Sequence, residues 1–176
     1  NLISDQALSR GFGNPGRLDD GLGPAAAAAV EALGLPSVTV DSDYQLTVED
    51  AEAAARHRVA ILVDADETGC EPFSVRRLAP GRDLSFSTHS VSPEAVIGMA
   101  HGLFGGDVAG YVVGVRGYEF NEFDERLSER ARANLDEALA WLRGVLTLDV
   151  DALINELDRR SAATAEGENP CKTVNT

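Results

Sequence analysis

A chain of 176 residues, 44% apolar and 25% charged, is long enough to bury one sizeable core and has the composition of a globular domain. Fifteen Lys and Arg against 29 Asp and Glu leave a formal charge of −14, which repels nucleic acid and anionic membranes and favours cations and basic peptide segments. No apolar run is long enough to span a bilayer, no secretory leader is visible, and Cys70 and Cys171 suggest no disulfide framework, so a reducing cytoplasm is expected.

In chain order, the polar stretch Ser4-Asp5-Gln6-Ala7-Leu8-Ser9-Arg10 is a poor strand, and a glycine-rich turn follows from Gly11 to Gly23. Pro24 to Leu33 is an alanine-rich helix closed by Gly34 and Pro36. Ser37 to Val40 is a short β-branched strand. Thr47 can cap a helix running to about His57, with Glu49 and Asp50 in its first turn. Val59 to Val63 is a continuous apolar run, as in a strand covered on both faces. Ser74 to Leu78 carries Arg76 and Arg77 and reads as a strand near an edge. Ser92-Pro93-Glu94 opens a helix that ends near Gly105-Gly106, and Tyr111 to Val115 is the last clear strand. Ser128 caps an amphipathic helix with Leu135, Leu139, Leu142 and Leu146 on one stripe. A short helix follows from about Val150 to Arg160, and Ser161 to Thr176 reads as a flexible polar tail.

Strands alternating with helices predict one α/β domain over residues 1–160: three layers, with a mainly parallel twisted sheet and helices on both faces. Sites in such folds lie beyond the carboxyl ends of the strands. Three loops there carry the candidate chemistry: Asp19 and Asp20 in the glycine turn, Asp64 at the end of the apolar strand, and His89 after Ser87 and Thr88. Two carboxylates and an imidazole suit a divalent transition metal. Each residue also has an ordinary reading, the acids as turn or helix-capping groups and His89 as a surface residue. Asp66 and Glu67 compete with Asp64. His57, between Arg56 and Arg58, reads as solvent-facing, His101 as packing, and Cys70 as a structural thiol rather than a nucleophile. Gly11 to Gly16 spells G-x-G-x-x-G, but Pro15 removes an amide and Asp19 and Asp20 would repel a pyrophosphate, which weighs against a nucleotide-binding α/β domain. No G-x-S-x-G elbow or H-E-x-x-H helix is present.

The ordered set Gly13-Asn14-Pro15-Gly16-Arg17-Leu18-Asp19-Asp20-Gly21-Leu22-Gly23-Pro24, Tyr44-Gln45-Leu46, Val63-Asp64-Ala65, Ser87-Thr88-His89-Ser90-Val91-Ser92-Pro93, Gly114-Val115 and Leu127-Ser128 resembles the hydrogenase maturation endopeptidases, over about Gly11 to Leu146. The resemblance implies a nickel-dependent protease that removes the C-terminal extension from the precursor of a nickel-iron hydrogenase large subunit, with Asp20, Asp64 and His89 as metal ligands and the nickel supplied by the precursor. Asp19 is a candidate helper in peptide cleavage. A cytoplasmic monomer with no nucleic-acid and no membrane partner is expected. A metal-binding chaperone that holds the precursor without cutting it would use the same three ligands. The chain departs from the resemblance at its polar N-terminus, where an apolar first strand is expected, and in its tail.

Overall fold

The computed structural model describes residues 6–79 and 91–165. Five strands form one sheet in the order β2-β1-β3-β5-β4. They are β1 (Ala7–Phe12), β2 (Val38–Asp43), β3 (Val59–Asp66), β4 (Phe73–Arg77) and β5 (Ala109–Arg116). Four run parallel, and β4 lies antiparallel to β5 at the edge. The helices are α1 (Leu22–Ala32), α2 (Val48–Ala55), α3 (Pro93–Gly102), α4 (Glu129–Val145) and α5 (Val150–Ala165).

The two-residue period of the strands sorts their side chains between two cores. Val59, Ile61 and Val63 of β3 face α1, α4 and α5 together with Tyr111, Val113 and Val115 of β5. Ala60 and Leu62 face α2 and α3, with Val96, Ile97 and Met99. Both faces are covered, as the expected three-layer architecture requires, which is why β3 reads as an unbroken apolar run. Ser92 and Ser128 cap α3 and α4 by accepting the N–H groups of Ala95 and Ala131. Leu135 and Leu142 are buried on the inner stripe of α4.

The N-terminal segment corrects the sequence reading. Residues 7–12 form a strand between β2 and β3, despite Ser9 and Arg10. Arg10 is only 4% exposed. Its guanidinium lies 2.8 Å from Asp50 Oδ1 at Nε, outside hydrogen-bond direction, and 2.6 Å from Asp41 Oδ2 at Nη1. Asp50 is itself buried and accepts the Thr47 N–H in a capping box. A charge inside a strand is thus neutralised by the neighbouring strand and the next helix. Replacing Arg10 with Ala leaves Asp50 buried and unpaired. We expect a loss of about 3 kcal/mol by urea denaturation, recovered in large part by the double variant Arg10→Met/Asp50→Leu, because an apolar pair removes both charges together. A double variant as unstable as Arg10→Ala would refute this account.

Three other expectations need correction. His57 is buried, not solvent-facing: its Nδ1 lies 2.7 Å from Ala53 O and its Nε2 3.0 Å from Thr39 Oγ1. Helix α5 continues through Ser161 to Ala165, and Ser161 Oγ accepts the Arg77 N–H at 2.8 Å, so the expected tail boundary falls inside a helix docked on β4. Residues 166–176 lie outside the described residues. Cys70 is disulfide-bonded rather than a thiol, which runs against the reducing compartment inferred from the cysteine count. Among the described residues no helix is long and apolar enough to cross a membrane.

Candidate active site

Strand β1 ends at Phe12, and the chain turns through Gly13 (φ 137°), which a side chain rarely adopts. A Cβ on Gly13 would sit 2.1 Å from Asp20 O, so the backbone of the turn folds onto itself at this point. Asn14 Oδ1 accepts the Gly16 N–H at 2.9 Å, and one 3-10 turn, Leu18–Gly21, leads into α1. Leu18 is held at φ 50° and is buried, a strained conformation of the kind that concentrates at functional sites. Close approach of Gly23 to β1 lets α1 start two residues before Pro24. A Cβ there would meet Phe12 O at 2.2 Å and Val63 O at 2.6 Å.

The two adjacent acids of this turn have opposite environments. Asp19 is fully buried. Its carboxylate accepts the N–H groups of Tyr118 (2.8 Å), Glu119 (3.0 Å) and Ser128 (2.7 Å), and the Ser128 hydroxyl (2.7 Å). Burial pushes this carboxyl up, but the backbone and hydroxyl donors outweigh it and hold it below its ordinary value. Asp19 therefore fastens the β5–α4 loop and the α4 cap to the glycine turn. This placement is structural, with both carboxylate oxygens occupied by donors of the β5–α4 loop, and it is not that of a free helper in peptide cleavage.

Asp20 is half-buried and accepts the Asn14 N–H at 3.0 Å through Oδ2. The turn thus spends an amide on its own carboxylate, which further disfavours phosphate binding. Asp64, at the carboxyl end of β3, accepts the Ala65 N–H at 2.8 Å. Its carboxyl is pushed up to about 7, chiefly by burial, with the charges of Asp20 and Asp66 adding to the rise. The structure therefore brings Asp20 and Asp64 within electrostatic reach across neighbouring strand ends. Asp66 is a weaker candidate, because its Oδ1 closes the next turn by accepting the N–H groups of Thr68 (3.1 Å) and Gly69 (2.8 Å). Glu67 is exposed.

Asp64 and Asp66 line a cleft of about 580 Å³ with Ser74, Arg76 and Gly114. The cleft runs along β4 and the ends of β3 and β5, between Pro93 at the start of α3 and the last turn of α5 at Ser161 and Ala165. Gly114 keeps it open, because a Cβ there would come within 3.2 Å of the Asp66 carboxylate and 3.3 Å of Ser74 Oγ. His89 lies outside the described residues. Among the described residues no three His, Cys, Asp or Glu side chains are gathered to hold an ion. The two carboxylates, on neighbouring strand ends and interacting through their charges, fit a divalent cation in their chemistry and would leave its other positions to further donors.

Sequence reasoning missed the polar cluster that backs the turn. Tyr118 donates its hydroxyl hydrogen to Glu71, receives an N–H from Asn134 Nδ2 at 2.9 Å, and lies between the guanidinium groups of Arg130 and Arg116 at 4.1 and 5.2 Å from its ring. Its members come from three separate segments, so no spacing announces them.

No family model matches the chain, and no curated protein matches it. Solved structures do. The hydrogenase maturation protease HycI from Thermococcus kodakarensis KOD1 is similar with a TM-score of 0.61 at 20% identity, covering 84% of this chain and 92% of that one. The hydrogenase 2 maturation peptidase from Thaumarchaeota archaeon SCGC_AB-539-E09 gives 0.61 at 22% identity, over 82% of this chain and 100% of that one. The hydrogenase maturating endopeptidase HybD from E. coli gives 0.56 at 21% identity, over 79% and 93%. This chain has the fold of the hydrogenase maturation proteases.

Proposed function

We propose that the chain is an endopeptidase of hydrogenase maturation, acting as a monomer on the precursor of a nickel-iron hydrogenase large subunit and removing its C-terminal extension once nickel is in place. One observation carries the reading. In a fold shared with proteases of this kind, the turn after β1 and the carboxyl end of β3 set Asp20 and Asp64 on neighbouring strand ends, where their charges interact and Asp64 lines an open cleft. Nickel here belongs to the substrate. Asp20, held by the Asn14 amide, and Asp64, lining the cleft, are the residues that would meet it, with His89 as the nitrogen donor that the resemblance implies. Their oxygens and the cleft would orient the peptide segment next to the metal.

The test uses nickel-loaded and nickel-free precursor read by mass spectrometry. Wild type should trim only the loaded form. His89→Ala and Asp20→Asn should stay folded by circular dichroism and lose trimming, since both act through their polar groups rather than through packing. Full trimming by either folded variant would refute the ligand assignment. Equal trimming of nickel-free precursor would leave a protease without metal sensing. Tight binding without any cleavage by wild type would make the chain a chaperone.

The reading places the reaction in the cytoplasm. Alkylation of thiols in freshly lysed cells should then find Cys70 reduced in a substantial fraction of the protein. Complete oxidation of Cys70 would put the chain in an oxidising compartment.

A further inference from the structure

Two loops flank the glycine turn. The strand order sets the carboxyl ends of β2, β1, β3 and β5 side by side. At about 4.8 Å per strand, the loops after β2 and β5 stand roughly 15 Å apart across the site. Both are pinned to the turn. On one side Gly13 donates its N–H to Asp43 O at 3.1 Å, and Asp43 Oδ1 accepts the Tyr44 N–H at 2.7 Å. On the other, Leu18 donates to Asp124 O at 2.9 Å, Asp19 to Glu119 O at 3.0 Å, and Arg17 Nη2 to Phe120 O at 3.2 Å.

Each pinned loop nevertheless holds an aromatic ring in water. Tyr44 is 66% exposed and Phe123 is 86% exposed. The second loop could have hidden its ring: Phe120, three residues earlier, folds back against Gly117. Rings of this size on loops already fixed by hydrogen bonds lose little entropy on docking, and such anchors dominate binding energy at protein interfaces. Acids surround both. Asp41, Asp43 and Glu49 lie near Tyr44 in the chain, the first two against Arg10, and Glu119, Glu122, Asp124 and Glu125 lie near Phe123 with Arg126 among them and Arg17 bonded to the same loop, so acids outnumber bases at both.

The geometry points to a two-pronged docking surface in which Tyr44 and Phe123 straddle the Asp20 and Asp64 rim and grip a folded protein substrate presenting apolar pockets within a basic rim. This rests on the protease reading above and names what that site recognises besides the scissile segment. Charge decides the occupant. A second copy of this chain, at −14, is repelled, whereas a basic surface is attracted.

The experiment measures precursor binding by interferometry and trimming by gel, for wild type, Phe123→Ser, Tyr44→Ser, the double variant and Phe123→Trp. The double variant should raise Kd and KM for the precursor at least ten-fold while kcat at saturation stays within two-fold. Phe123→Trp should bind like wild type, and raising the salt should weaken wild-type binding. Unchanged Kd in the double variant, with wild type binding normally, would overturn the docking surface and leave the protease reading standing. Wild type that binds without cutting, with weakened binding in the double variant, would support the surface and overturn the protease reading. Wild type that does not bind the precursor overturns both. Wild-type self-association abolished by the double variant would assign the rings to a dimer and overturn the proposal.

Discussion

Asp64→Asn should make the protein more stable at pH 8 and inactive. The Asp64 carboxyl has an ordinary value of 3.8 and is pushed up to about 7, first by burial and then by the charges of Asp20 and Asp66. The folded state therefore holds this proton more tightly than the unfolded chain does. The resulting stabilisation is full below the unfolded value and is lost as pH rises through about 7, so at pH 8 the fold carries an ionised carboxylate in a place that resists it. A displacement of this size sets a ceiling of about 4 kcal/mol. Asp64 is only half-buried and opens onto the cleft, so solvent screening reduces the figure to about 1–2 kcal/mol. The asparagine amide keeps the neutral shape and can keep the Ala65 N–H bond. In chelator-treated protein, Tm should rise by about 3–6 °C at pH 8 and by much less at pH 5. Precursor trimming should fall at least about 100-fold, as the role proposed for Asp64 requires. A variant stabilised equally at both pH values would contradict the titration argument. A stabilised variant that trims normally would remove Asp64 from the machinery.

The position of Asp64 was legible in the sequence. Asp64 follows five consecutive apolar residues of β3, so a carboxylate there has to face a cleft, a partner or the next turn. The alternation of strands and capped helices likewise implied a parallel sheet, and Ser92, Thr47 and Ser128 all cap where their spacing placed them. Strand β1 was hidden because its signal depends on residues far along the chain. Arg10 becomes compatible with a buried strand only when Asp41 and Asp50 arrive, and nothing local announces that pairing. Asp19 and Asp20 were indistinguishable for a different reason. They are consecutive, and in a 3-10 turn consecutive side chains diverge by about 120°. One turns inward to the α4 cap and the other toward Asn14. Cys70 lacked any signal, since two cysteines so far apart carry no spacing information.

The divergence of the two acids leads to the other large expected effect. Asp19→Ala should cost about 4–6 kcal/mol and disorder the loop between β5 and α4. Removing the carboxylate strands three buried or half-buried N–H groups, from Tyr118, Glu119 and Ser128, together with the Ser128 hydroxyl. Each orphaned donor costs about 1–3 kcal/mol, partly offset where water reaches the loop. Asp19→Asn should be milder in size but similar in kind: its amide offers one acceptor oxygen where the carboxylate offers two, and its NH₂ would meet a donor. Hydrogen exchange should localise the damage to residues 117–128 and the start of α4, because the same loop is otherwise held by Leu18 on Asp124 O and Arg17 on Phe120 O. Trimming by Asp19→Asn should fall in step with the folded fraction and return when the temperature is lowered or a stabilising osmolyte is added. A catalytic helper would behave in the opposite way, with stability and exchange unchanged and activity lost at every temperature. That pattern would overturn the structural assignment of Asp19 and return it to the reacting centre beside Asp20.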